Sequence, residues 1–138
     1  MKFVNENKCL LCGLENPVGL KLRIDYRDGK SRTVFSYQEY FQGYTGVVHG
    51  GMVGAVLDEM CVYAAASLGY VTVTGELTVR YKKPVKVETE YIAEGYVEEV
   101  RGKLIFAGAR IVDGDGEVYA YARAKLVIVK RGHYEECS

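Results

Sequence analysis

Long apolar runs, an excess of either charge, and histidine are scarce or missing in this sequence. No stretch of its 138 residues approaches the ~18 apolar residues of a membrane span, and the opening Met1-Lys2-Phe3-Val4-Asn5-Glu6 lacks an apolar signal region. No membrane partner is expected, and the location expected is cytoplasmic. Lys+Arg 18 against Asp+Glu 18 leaves zero net charge, so nothing global points to nucleic acid, and any basic site has to be local. The histidines are two, His49 and His133, and the cysteines four, at 9, 12, 61 and 137. Cys9-Leu10-Leu11-Cys12-Gly13 is half a zinc site, and no second pair with ligand spacing completes it. A redox pair would open a helix, whereas Gly13 and Pro17 argue for a loop. The pair is therefore read as free thiols in a structured turn within an N-terminal segment, residues 1–19. No metal and no cofactor is implied, and residues 1–138 form a single domain long enough for a core without disulfides.

The most informative stretch is Gly46-Val47-Val48-His49-Gly50-Gly51-Met52-Val53-Gly54-Ala55-Val56-Leu57-Asp58-Glu59, a glycine-rich turn feeding an apolar helix with an acid in its middle. Glycines at a helix start let a substrate approach free backbone N–H groups, where the helix dipole favours developing negative charge. Val53, Leu57, Met60, Ala64 and Leu68 form one apolar stripe for the core. Glu59 lies about 200° from Leu57 at about 100° per residue. Asp58 falls between, among Gly51, Gly54, Ala55, Cys61, Val62 and Ala65, where another backbone can come close. An acid there is not fully solvated, and a carboxylate with a raised pKa in an apolar setting is a candidate for chemistry.

Strands surround that helix. Leu20 to Arg27 alternates and turns at Asp28-Gly29 into Ser31 to Tyr37. The helix is expected from about Gly50 to Ser67. Val71 to Lys82 alternates, with Val71, Val73, Leu77, Val79 and Tyr81 on one face and Thr72, Thr74, Glu76, Thr78, Arg80 and Lys82 on the other, until Pro84 ends it. Val87 to Val97, Lys103 to Val112 and Glu117 to Lys130 complete the set. Asp113-Gly114-Asp115-Gly116 is read as a hairpin turn, because the later ligands of a calcium loop are missing. The fold class is α+β, an antiparallel sheet wrapped around a long central helix.

These residues resemble the hotdog-fold acyl-CoA thioesterases of the 4-hydroxybenzoyl-CoA thioesterase superfamily, particularly the PaaI-like and THEM branch. The match is carried by Cys9 through Leu20, by Gly46-Val47-Val48-His49-Gly50-Gly51 through Leu57-Asp58-Glu59, and by Thr74-Gly75-Glu76-Leu77-Thr78-Val79-Arg80-Tyr81-Lys82-Lys83-Pro84. The resemblance implies that the backbone N–H of Gly50 polarises a thioester carbonyl and that Asp58 acts as nucleophile or general base. It implies an assisting hydroxyl at Thr74, and an orienting or loop-holding role for His49 beside Gly51. One departure stands out. The branch with a catalytic asparagine six residues before the histidine has Gly43 here, beside Gln42, so that role is absent or taken by Gln42. Arg80, Lys82 and Lys83 sit where relatives often meet the nucleotide phosphates.

The chemistry implied is hydrolysis of an acyl-CoA to free acid and CoA. A noncatalytic acyl-CoA-binding regulator, a hydratase or dehydratase on the same fold, and a zinc-dependent binding module are the rival readings. The uncovered sheet edge predicts a homodimer or a homotetramer. Gly50 and Asp58, eight residues apart on one helix, are about 12 Å apart at 1.5 Å per residue, so each active site is expected at a dimer interface, with the acid of one chain beside the glycine of another.

Overall fold

The computed structural model describes residue 4 and residues 6–132; Met1, Lys2, Phe3 and Asn5 at the start, and His133 and Cys137 at the end, lie outside the described residues. Its elements are β1 (Asp25–Arg27), β2 (Lys30–Ser36), a short 3-10 turn (Glu39–Phe41), α1 (Gly50–Ala66), β3 (Tyr70–Tyr81), β4 (Glu90–Arg101), β5 (Leu104–Val112) and β6 (Val118–Arg131). The strands form one six-stranded sheet in the order β1-β2-β4-β5-β6-β3, each pair antiparallel. This is the hotdog arrangement, with the sheet wrapped around α1.

Small side chains on the inner sheet face let the helix sit deep. Ala93, Ala107, Ala109, Ala120, Ala122 and Ala124 are buried there with Ile105, Ile111 and Leu126. Val53, Val56, Leu57, Met60 and Ala64 of α1 are buried with them, as the helical stripe requires. At Gly95 of β4 the approach is closest: a Cβ there would lie 2.3 Å from the Met60 carbonyl oxygen. The Ser31 hydroxyl donates to that same carbonyl at 2.6 Å, pinning β2 to the helix.

Three expectations need correction. The first strand is Asp25–Arg27 rather than Leu20–Arg27. Lys21 is left-handed, with φ 54°, and Leu20 and Leu22 donate instead to the carbonyls of Leu10 and Leu11. Leu68 lies beyond the helix end, 44% exposed, rather than in the core stripe. The alternation of β3 does not run through unbroken. Its register against β6 shifts between Val71 and Thr72 and between Thr74 and Glu76. The second bulge puts Thr74 on the same side as Val79 and Tyr81, where all three meet α1.

The sheet has two edges. β1 is three residues long, while β3 is a 12-residue strand that, among the described residues, pairs only with β6. Among the described residues no helix is long and apolar enough to cross a membrane.

Candidate active site

The turn before α1 is held from several directions. Gln42 and Val48 form an isolated bridge, Gly43 donates to the Val47 carbonyl, and the Gln42 side chain accepts from the Gly46 N–H at 3.0 Å. Gln42 thus ties its own loop. His49 is the N-cap of α1: its Nδ1 accepts from the Gly51 N–H at 3.0 Å, which requires that nitrogen to be unprotonated. Its carbonyl accepts from Met52 and Val53, at 2.9 and 3.2 Å. The Gly50 N–H, the remaining donor of the first turn, makes no hydrogen bond among the described residues and lies exposed. A free amide at a helix N-terminus suits a developing oxyanion.

Asp58 sits two turns along, half-buried, and Thr74 Oγ1 donates to its Oδ1 at 2.5 Å. Burial raises the Asp58 carboxyl above its ordinary value, and the Thr74 bond offsets part of that rise. The structure therefore joins Asp58 to Thr74, and His49 to Gly51 and Gly50, as two separate groups within the chain.

The basic residues are placed differently. Tyr81 faces the helix, so its neighbour Arg80 projects from the opposite face, paired across from Tyr121. Lys83 forms an ion pair with Glu117 and lies 5.9 Å over the Tyr119 ring. Lys82 is exposed.

Two further residues did not emerge as site residues from periodicity. Tyr81 donates its hydroxyl to the Gly50 carbonyl at 2.7 Å. Glu59, which helical geometry aims away from the core stripe, is buried because the N-terminal segment covers that face. The Cys9 thiol donates to Glu59 Oε2 at 3.3 Å, and Cys12 Sγ lies 3.9 Å from Oε1. Burial pushes the Glu59 carboxyl up to about 7, with Asp58 adding to the rise and the Cys9 bond opposing it. One ligand atom each from Cys9, Cys12 and Glu59 lies within 4.8 Å of the others. Cys9 is a free thiol, but Cys12 is held in a disulfide, which corrects its reading as a free thiol and removes it from any thiolate donor set. Burial raises the Cys9 thiol and pushes Cys61 up to about 12, so neither serves as a thiolate nucleophile near neutral pH.

An antiparallel sheet around one helix, with a free glycine amide at the helix start and a half-buried acid in its middle, defines a hotdog domain of the thioesterase type. Residues 45–120 match the model of the thioesterase superfamily. The chain belongs to that superfamily. Over 118 residues it is 28% identical to the acyl-coenzyme A thioesterase THEM4 of Mus musculus, covering 84% of this chain and 50% of that one. It is 30% identical over 114 residues to a protein of Saccharolobus solfataricus whose name proposes an esterase, covering 78% and 72%. The chain spans about half the length of the THEM4 relatives it matches. A hypothetical thioesterase of Streptococcus pneumoniae, solved with coenzyme A, shares the fold with a TM-score of 0.75 at 20% identity, over 83% of this chain and 88% of that one.

Proposed function

We propose that this protein hydrolyses an acyl-CoA thioester to the free acid and coenzyme A. The observation that carries the reading is the pair of groups on α1: the Gly50 N–H, without a partner among the described residues, and the Asp58 carboxyl, held by Thr74 in a half-buried setting. The amide receives the carbonyl oxygen as charge develops on it, an effect worth on the order of 10²-fold to 10³-fold for one well-placed donor. Asp58 either attacks the carbonyl carbon itself or takes the proton from an attacking water. If Asp58 attacks, the carbon–sulfur bond breaks as CoA leaves as thiolate, and water then hydrolyses the mixed anhydride, returning the carboxylate and supplying the proton the thiolate takes up. If water attacks, the proton Asp58 removes from it passes to the sulfur as the carbon–sulfur bond breaks. His49 holds the turn, and Gly51, Gln42, Arg80, Lys82 and Lys83 are assigned to binding along the path of the CoA group. The acyl-coenzyme A thioesterase relatives and the CoA-containing structure support this choice of substrate.

The site is shared between two copies in a homodimer or homotetramer. The free edge of β3 offers the pairing surface, and the rise from Gly50 to Asp58 along one helix is too long for one thioester. The cytoplasmic location expected from the sequence belongs to the same reading. A panel of acyl-CoA thioesters with a free-thiol readout tests it. Turnover by the wild type, abolished in a folded Asp58→Asn variant, is the expected result. Tight acyl-CoA binding without turnover would make the protein a binding regulator instead.

A further inference from the structure

We propose that Tyr81 is a positioning residue that aims the Gly50 N–H, an inference that rests on the thioesterase reading above. A helix start leaves four N–H groups without intrahelical partners. Here three are engaged: the His49 N–H by the Phe41 carbonyl, the Gly51 N–H by the His49 side chain and the Met52 N–H by the His49 carbonyl. The fourth, on Gly50, is the proposed oxyanion donor. Glycine has the least restricted backbone of any residue, so an amide on it keeps a fixed direction only if its neighbours impose one. The N-terminal side of Gly50 is fixed by His49, whose own N–H donates to the Phe41 carbonyl at 2.9 Å. The C-terminal side enters α1, and Tyr81 adds a restraint there, its hydroxyl donating to the Gly50 carbonyl at 2.7 Å.

The ring of Tyr81 occupies the space that the glycines leave. A Cβ on Gly50 would lie 3.6 Å from its ring carbons and hydroxyl, and one on Gly54 would lie 3.7 Å from the hydroxyl. Tyr81 is the last residue of β3 and is 53% exposed. A hydrogen bond in so open a position adds little to stability, while restraining the one amide that faces the developing oxyanion acts on the transition state. A second tyrosine makes the contrast. Tyr37 donates to the Met52 carbonyl at 2.9 Å but is fully buried, and its effect falls on the core.

Tyr81→Phe keeps the ring and removes the donor. Steady-state kinetics on the best acyl-CoA should show kcat reduced about tenfold, with KM unchanged within about twofold and the melting temperature shifted by a few degrees at most. In a Gly50→Pro background, where no N–H remains to be aimed, the same change should lower kcat no further. Full kcat in Tyr81→Phe, a rise in KM alone, additive losses in the double variant, or loss of folding would each overturn the positioning role. If the wild type hydrolyses acyl-CoA and Asp58→Asn does not, such a result removes Tyr81 alone. If the wild type hydrolyses none, the thioesterase reading falls and this inference with it.

Discussion

The Cys9 thiol donates to the Glu59 carboxyl at 3.3 Å, which ties the N-terminal segment to α1 at the residue following Asp58. Tyr63, one turn on, donates its hydroxyl to Cys12 Sγ at 3.2 Å, so the segment is fastened along the helix at two levels. Two adjacent acids are thereby given different surroundings. Asp58 faces β3 and Thr74 and keeps partial access to solvent, whereas Glu59 is enclosed by sulfur and apolar groups.

That enclosure makes stability depend on pH. Glu59 titrates near 4.5 when unfolded and at about 7 when folded. Between those values the unfolded chain has lost a proton that the folded one keeps, so stability falls as pH rises through the window, by about 3 kcal/mol once above it. Glu59→Gln, neutral throughout, should abolish that fall. Chemical denaturation at pH 5 and pH 8 should show the variant gaining much more on wild type at pH 8 than at pH 5. An equal difference at both would deny that burial of this acid matters.

The separation of Asp58 from Glu59 shows what the sequence made legible. Helical periodicity placed Asp58 beside small residues at the helix flank, and its raised pKa follows from that position. The burial of Glu59 was not visible, because it depends on a segment some fifty positions away in the chain folding onto that face. Thr74 could be joined to Asp58 only through the family pattern. Strict alternation sets it opposite Val79 and Tyr81, and the bulge beside Gly75 reverses the phase. The shortened β1 is a similar case, since a left-handed Lys21 interrupts an otherwise regular apolar alternation.

Removing the Thr74 hydroxyl leaves burial as the dominant influence on Asp58. In Thr74→Val the carboxyl should titrate higher than in wild type, because the bond that favours its charged form is gone. The acid limb of the kcat/KM profile should therefore move to higher pH. The loss should be about tenfold on the acidic side and shrink as pH rises. An unmoved limb would mean that Asp58 is not the group titrating in the profile.

Gly95 tests how closely α1 must approach the sheet. A methyl group there would meet the Met60 carbonyl oxygen at 2.3 Å and the Ser31 hydroxyl at 2.5 Å, so helix or strand has to shift. Gly95→Ala should cost about 1–3 kcal/mol, read as a lower denaturant midpoint with the slope unchanged. A neutral result would show that the helix has slack against β4.

The sharpest prediction concerns where one active site ends and another begins. Asp58→Asn removes the carboxylate from one component of a shared site, and Gly50→Pro removes the N–H from the other. Proline fits at this position on three counts. Gly50 is the first helical residue, where proline's fixed φ is preorganised and its missing N–H breaks no helical bond. His49 has φ −57° and ψ 132°, the extended conformation that a residue before proline prefers. The nearest atoms to a new Cβ, on the Tyr81 ring, are 3.6 Å away, an ordinary contact. Each variant alone should be folded and nearly inactive. If partner chains supply the two groups, a mixed dimer holds one site carrying both lesions and one carrying neither. Random exchange of equal amounts makes half the dimers mixed, so activity should recover to about a quarter of wild type per chain after reversible dissociation and reassociation. Chain exchange, verified by mass spectrometry of the mixed species, without any recovery would place both groups of each site in a single chain.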